Sequence, residues 1–327
     1  MTMREISYVR AIYEALREEM RRDKRVFLMG EDVELSVYGA TKGLLEEFGR
    51  DRVRNTPITE AAVVGASLGA SLVGVRPVVD LMQGNFLYVA MDQFANQAAK
   101  ARYMFGEQIT FPVVYMAATG AFESAGAQHS DSPHPMFMNV GGLKVVMPST
   151  PYDAKGLLKA AIRDDNPVMY LTPGSLMAGA KGPVPEGEYV VPLGQADIKR
   201  PGKDVTVVAI GAMVRQALSA AEKLAAEGIE VEVVDPRSLN PMDWEAVLQS
   251  VRKTGRLVVA DEARRTCSAA SEIAARVSES CFGTLKGPIR ILAVPDVPIP
   301  FSPVLESAVV PDARRIADAV RASAVSL

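Results

Sequence analysis

Glu60 closes the polar approach Arg54-Asn55-Thr56-Pro57-Ile58-Thr59 and opens a helical stretch whose next fourteen residues carry no other charge. Pro57 fixes the entry and Thr59 is placed to cap the helix. A carboxylate there either complements the helix dipole or acts as an acid–base group, and its type and spacing alone leave both open. The two histidines of the protein, His129 and His134, fall in one Gly/Ser/Pro-rich loop, where an imidazole can give or take a proton near neutrality. They lack the spacing of a zinc site, and Asp131 as a third ligand has nothing to support it. In Asp80-Leu81-Met82-Gln83-Gly84-Asn85-Phe86 a strand ends in a glycine and an aromatic, which suits either a core or a ring platform. The chain has no GxGxxG after a strand, no GxxxxGK[ST], no GxSxG and no Gly-Asp-Gly with an Asn pair, so it brings no phosphate site of its own.

The elements that must position these residues alternate between short β-branched runs and longer helical patterns. That alternation predicts an α/β class with two doubly wound domains. Helices are expected over 8–22, 39–48, 60–74, 88–104 and 152–163, with strands at 26–29, 77–81, 113–117, 143–147 and 168–171. These form a first domain over 1–173. A Pro/Gly-rich interval, 174–203, reads as a linker that continues neither element. The second domain, 204–327, alternates strands at 205–210, 231–234, 257–260 and 289–294 with helices at 214–227, 243–251, 268–280 and 312–322. Open α/β sheets bind ligands beyond the carboxyl ends of their strands, which is where the three candidate segments fall.

With 327 residues, 48% hydrophobic and 23% charged, the chain has a globular composition, and a net charge of −3 offers no basic footprint for nucleic acid or an anionic membrane. Cys267 and Cys281 make no framework or CxxC motif, which fits a reducing cytoplasm. The charged N-terminus reads as neither a signal nor a transit peptide, and the longest apolar run, 61–75, is too short to span a bilayer.

Eight stretches carry a family resemblance in order: Thr56-Pro-Ile-Thr-Glu60, Ala90-Met-Asp-Gln-Phe94, Ala127-Gln-His-Ser130, Gly142-Leu-Lys-Val-Val-Met-Pro-Ser149, Asp153-Ala-Lys-Gly-Leu157, Ala161-Ile-Arg-Asp-Asp-Asn-Pro167, Lys253-Thr-Gly-Arg-Leu257 and Pro295-Asp-Val-Pro-Ile-Pro300. Together, from about residue 7 to 320, the chain resembles the beta subunit of the thiamine-diphosphate-dependent decarboxylating component of 2-oxo acid dehydrogenase complexes. The acetoin and pyruvate dehydrogenase branches are the most similar. The resemblance implies a pyrimidine-binding domain and a transketolase C-terminal-like domain. It also implies an α2β2 heterotetramer whose alpha subunit holds magnesium and diphosphate, with the acyl or aldehyde unit passed to a lipoyl group on an acyltransferase component. By the same resemblance Glu60 hydrogen-bonds the aminopyrimidine, Phe86 stacks on it, and His129 faces substrate and acceptor. Val113, Ala161, Asp164 and Asn166 would hold a structural potassium, mainly through carbonyls.

The departures from that family cluster. Met116 stands in the segment where an Arg and a Pro are usual, Asp131 follows His129-Ser130, His134 is added, and Asn139 replaces a second histidine. Drift in loops explains them, and so does an altered donor or acceptor. A split transketolase-like or carboligating synthase with a non-lipoyl acceptor is the nearest rival, and a non-catalytic scaffold is the rival of another class. The preserved Gln128-His129-Ser130 and 295–300 segments favour the dehydrogenase component.

Overall fold

The computed structural model describes residues Thr2 to Ala324; Met1 and residues 325–327, at the outer ends of the two expected domains, lie outside the described residues. The chain divides into two compact units. One runs through Thr119 and resumes from Met136 to Leu193; the other takes Gly120–Pro135 and continues from Gly194.

The first unit opens with β1 (Met3–Ser7) and α1 (Tyr8–Arg22). Ser7 Oγ accepts from the Arg10 N–H at 3.1 Å, capping α1, and Arg21 and Arg22 sit at its electronegative end. Then come β2 (Val26–Gly30), α2 (Leu44–Phe48), β3 (Val53–Asn55), α3 (Glu60–Leu72), β4 (Arg76–Gln83), α4 (Ala99–Met104) and β5 (Val114–Thr119). After α5 (His134–Met138), where the chain re-enters this unit, follow β6 (Lys144–Val146), α6 (Pro151–Arg163), β7 (Val168–Pro173), α7 (Gly174–Met177) and β8 (Lys181–Pro185). The parallel strands lie in the order β6-β7-β5-β4-β2-β3. Every residue of β5 and β7 is buried, as expected of strands covered on both faces.

The second unit contains β9 (Asp197–Arg200), β10 (Val205–Ala209), α8 (Met213–Ala225), β11 (Val231–Asp235), β12 (Ser238–Asn240), α9 (Trp244–Thr254), β13 (Leu257–Arg264), α10 (Ala269–Cys281), β14 (Arg290–Val294), α11 (Pro303–Val309) and α12 (Ala313–Ala324). Its sheet has the order β14-β13-β10-β11-β9, with β9 antiparallel at the edge. No helix among the described residues is long and apolar enough to cross a membrane.

Three expectations differ from the structure. The interval 174–203 is not structureless: it holds α7, β8 and β9. Pro183 and Pro185 are tolerated in β8 because it pairs only with β1, in a two-stranded ribbon where a missing N–H can face outward. The helix expected over 88–104 breaks into a 3-10 turn at Gly84–Ala90, a π turn at Gln93–Ala98 and then α4. Packing sets the pitch there: Phe94, fully buried, meets the rings of Tyr115 and Phe137 edge-on at 4.8 and 5.5 Å. The expected 39–48 helix closes only from Leu44, because Gly43 before it is left-handed with φ +84°.

Helix α6 packs on α1 through an ion network that no apolar pattern signals. Lys155 and Lys159, both fully buried, extend to Glu18 at 2.6 and 2.7 Å, and Lys159 also reaches Glu188 at 2.5 Å. Buried charges persist only when paired in this way.

The first sheet positions a site through its order. From β2 the chain moves outward to β3, and α3 then carries it back to β4 on the other side of β2, so the connection direction reverses at β2. At the carboxyl end of β2, Gly30 (φ +152°) pairs with Asp80 of β4, and a Cβ on residue 30 would stand 2.2 Å from the Asp80 carbonyl oxygen. Gly30→Ala is therefore expected to push the two strands apart and destabilise the protein by at least about 1–3 kcal/mol, measured as a lower urea midpoint.

Candidate active site

The segments following β2, β3 and β4 meet in a cleft at that reversal. It is lined by Glu31, Thr56, Pro57, Thr59, Glu60, Val63, Asp80 and Leu81. Glu60 is the first residue of α3, whose unpaired amides favour negative charge at that end. Thr59 precedes it as expected but makes no side-chain cap, so its hydroxyl is not what starts the helix. Burial pushes the Asp80 carboxyl up to about 6, opposed by the Met82 N–H bonded to Oδ1 at 3.0 Å and reinforced by Glu31. Burial also raises Glu31, helped by Asp32 and Glu60. Thr56 Oγ1 on the cleft wall, and Gln83 Oε1 at the end of β4, are buried without a hydrogen-bond partner. A carboxyl raised to about 6, a second with raised proton affinity and an unused hydroxyl can together hydrogen-bond and exchange protons with a weakly basic heterocycle.

The structure distributes the other expected residues differently. Phe86 is half-buried on the 3-10 turn after β4 and is not among the residues lining the cleft. His129 is exposed and lies in Gly120–Pro135, within the second unit. The expected potassium residues sit around the end of α6 and the start of β5, where their groups already have partners. The Val113 carbonyl accepts from the Val168 N–H, and that of Ala161 from Asp164. The Asp164 carbonyl accepts from Arg76 Nη2 at 2.6 Å, its carboxylate pairs with Lys144, and Asn166 Oδ1 accepts from Arg102 at 2.6 Å. Among the described residues no group of three or more His, Cys, Asp or Glu is arranged to hold a metal ion. Glu31 escaped the sequence reading, although Gly30-Glu31-Asp32 directly after an apolar run signals the carboxyl end of a strand.

In the second unit, His134 is fully buried, with Nε2 3.1 Å from Asp261 Oδ1. The pairing of two histidines in one loop suggested a single open site; instead one is enclosed and the other exposed. Burial acts against the Asp261 carboxylate, but the charge and hydrogen bond of His134 and the Ala263 and Ala270 N–H groups outweigh it and hold Asp261 below its usual range. Its neighbour Glu262 has the reverse environment: burial, then Asp261 and Glu306, push it up to about 8. A group that binds its proton more tightly folded than unfolded makes stability fall as pH rises between the two pKa values, here from about 4.3 in the unfolded chain. Glu262→Gln removes that slope, so its urea midpoint is expected to match the parent at pH 4 and to exceed it increasingly from pH 5 to pH 8.

Residues 4–178 match the transketolase pyrimidine-binding domain family and residues 194–316 the transketolase C-terminal domain family. The subunit beta of acetoin:2,6-dichlorophenolindophenol oxidoreductase from Cupriavidus necator is 48% identical over 97% of this chain and 97% of its own. The 2-oxoisovalerate dehydrogenase subunit beta of Bacillus subtilis is 44% identical over 92% of this chain and 93% of its own. The pyruvate dehydrogenase E1 component subunit beta of Rhizobium meliloti is 45% identical over 98% of this chain and 69% of its own. A split-gene transketolase solved as an inactive beta4 tetramer superposes with a TM-score of 0.78 at 26% identity, over 98% of this chain and 99% of that one. The chain belongs to the transketolase-like family of dehydrogenase E1 beta subunits, with its pyrimidine-binding and C-terminal domains in that order.

Proposed function

We propose that this chain is the beta subunit of a thiamine-diphosphate-dependent acetoin or 2-oxo acid dehydrogenase component, which cleaves the bond next to a carbonyl and passes the acyl or aldehyde unit to a lipoyl group. The observation that carries this reading is the acidic cleft at the strand-order reversal, where Glu60 stands at the start of α3 beside Glu31 and Asp80. Thiamine diphosphate supplies the electron sink for cleavage, and the residues of this chain supply position and proton traffic. Glu60 would hold the pyrimidine edge of that cofactor and offer its carboxylate as the proton-exchanging group there. Burial raises the proton affinity of both Asp80, to about 6, and Glu31, which limits the negative charge accumulating around Glu60. The unpartnered Thr56 hydroxyl offers a further hydrogen bond to the same edge. Phe86 is the ring platform and His129 the group facing substrate and acceptor. Val113, Ala161, Asp164 and Asn166 are the potassium segment, in which each carbonyl keeps a second lone pair for the ion.

The magnesium and diphosphate half belongs to an alpha subunit, in an α2β2 heterotetramer. Support for such a partner comes from the apolar side chains the first unit leaves exposed, among them Leu72 and Val73 at the end of α3 and Tyr103, Met104 and Phe105 around the end of α4. The 44–48% identities to dehydrogenase subunits, against 26% to the split-gene transketolase, favour a dehydrogenase over a ligating synthase.

Glu60→Gln, co-produced with the alpha subunit, is expected to fold and assemble like the parent and to lose about 10²–10⁴-fold in turnover, assayed as acetoin- or pyruvate-dependent reduction of 2,6-dichlorophenolindophenol. Turnover at the parental rate would overturn the assignment.

A further inference from the structure

The loop bearing His129 belongs to the second unit and is tied there at two points. At its base the Gly120 N–H donates to the Asp131 carbonyl at 3.0 Å, closing the segment between them. Within it Glu123, Ser124 and Gly126 are left-handed, with φ +53°, +55° and +78°, so local backbone preference does not hold the loop in one shape. Charged contacts to β13 do. Asp131 Oδ1 accepts from Arg264 Nη2 at 2.7 Å, and Arg264 Nε is itself fixed on the Val297 carbonyl at 3.1 Å. His134 Nε2 lies 3.1 Å from Asp261 Oδ1, with both side chains enclosed.

These contacts form a matched set: loop residues three apart engage strand residues three apart. In a regular strand, residues 261 and 264 point to opposite faces, because side chains alternate with period two. Here β13 shifts register against β14 between Ala260 and Arg264, and that irregularity lets both side chains serve one loop. Asp131 and His134 are two of the positions at which the chain departs from its family, and each has its partner on β13.

We propose that Asp131 with Arg264 and His134 with Asp261 form a two-point clamp that positions His129 for the transfer step, and that Asp131 and His134 are positioning residues for it. The proposal rests on the reading that His129 faces substrate and acceptor. A clamp of this kind acts on turnover through the placement of one side chain, where a displacement of about 1 Å costs on the order of 10²-fold in rate.

The test uses the chain assembled with its alpha subunit and turnover of acetoin and pyruvate read as acyl transfer to an isolated lipoyl domain. His129→Gln alone is expected to impair turnover; if it does not, the role of His129 is wrong and the clamp falls with it. With that established, Asp131→Asn is expected to lower kcat on the order of 10²-fold, with KM changing little and thermal stability within a few degrees of the parent. Adding Asp131→Asn to His129→Gln is expected to cost almost nothing further, since both act through one group. The charge-exchanged pair D131R/R264D is expected to recover most of the lost kcat. His134→Asn should behave as Asp131→Asn does; where it fails to fold, the Asp131 series decides. Parental turnover of Asp131→Asn alongside an impaired His129→Gln overturns the clamp and leaves the function standing. So does a full, independent loss when the two substitutions are combined.

Discussion

At the carboxyl ends of β2 and β4 the two strands run so close that residue 30 has no room for a side chain, and the cleft depends on that approach. Gly30 faces the backbone of Asp80, so the residue after each, Glu31 and Leu81, enters the cleft from adjacent strands. Helix α3 then begins beside them because the chain must cross β2 to reach β4. Widening the β2–β4 spacing would part Glu31 from Asp80 and admit water between them. Both carboxyls owe their raised proton affinity first to burial, so the acid–base character of the cleft follows from the strand spacing as much as from the residue types.

The second unit relies on a different device. Its sheet is fully buried along β10 and β11, yet β13 loses regular register before its end. Asp261 and Glu262 follow each other there and experience opposite environments. Asp261 has an imidazole and backbone donors and stays ionised; Glu262 has two acidic neighbours and holds its proton. An adjacent pair with both charges enclosed would repel strongly, and keeping one of them neutral makes the pairing tolerable.

Much of the fold was legible in the sequence because the signals were long. Helix α1 was read over its full observed extent, and α6 and the buried strands of the first sheet within a residue or two, since sustained periodicity identifies such elements, whereas β13 runs four residues beyond the apolar run that announced it. What escaped was short or dictated from afar. β3 has three residues and no room for a pattern, β8 contains two prolines that read as breakers, and the π turn around Phe94 is set by rings from β5 and α5. In the site, Glu60 stood out because an uncharged helix follows it, while Asp80 passed unremarked in a stretch read for its glycine and aromatic. Glu31 and the unused Thr56 hydroxyl become visible only when three strands are laid side by side. The different roles of the two histidines were not legible either: both stand in one polar, proline-rich segment, and only a partner 127 residues away shows that His134 is enclosed.

Met116 is the third departure with a structural consequence; nothing in the structure explains Asn139. It sits in the middle of β5, enclosed, and pairs in register with Asp80 on β4, so the two side chains project from the same face of neighbouring strands. A guanidinium at position 116 would have given Asp80 a cation and favoured its ionised form. A methionine gives it none, and the Asp80 carboxyl is left with one backbone donor against burial and the nearby Glu31. Methionine at position 116 therefore leaves Asp80 without a cation on that face, and burial raises its proton affinity unopposed by any counter-charge there. With its pKa lifted to about 6, Asp80 sits close enough to neutrality to take up or release a proton as its surroundings change, which a carboxylate held by a guanidinium could not do.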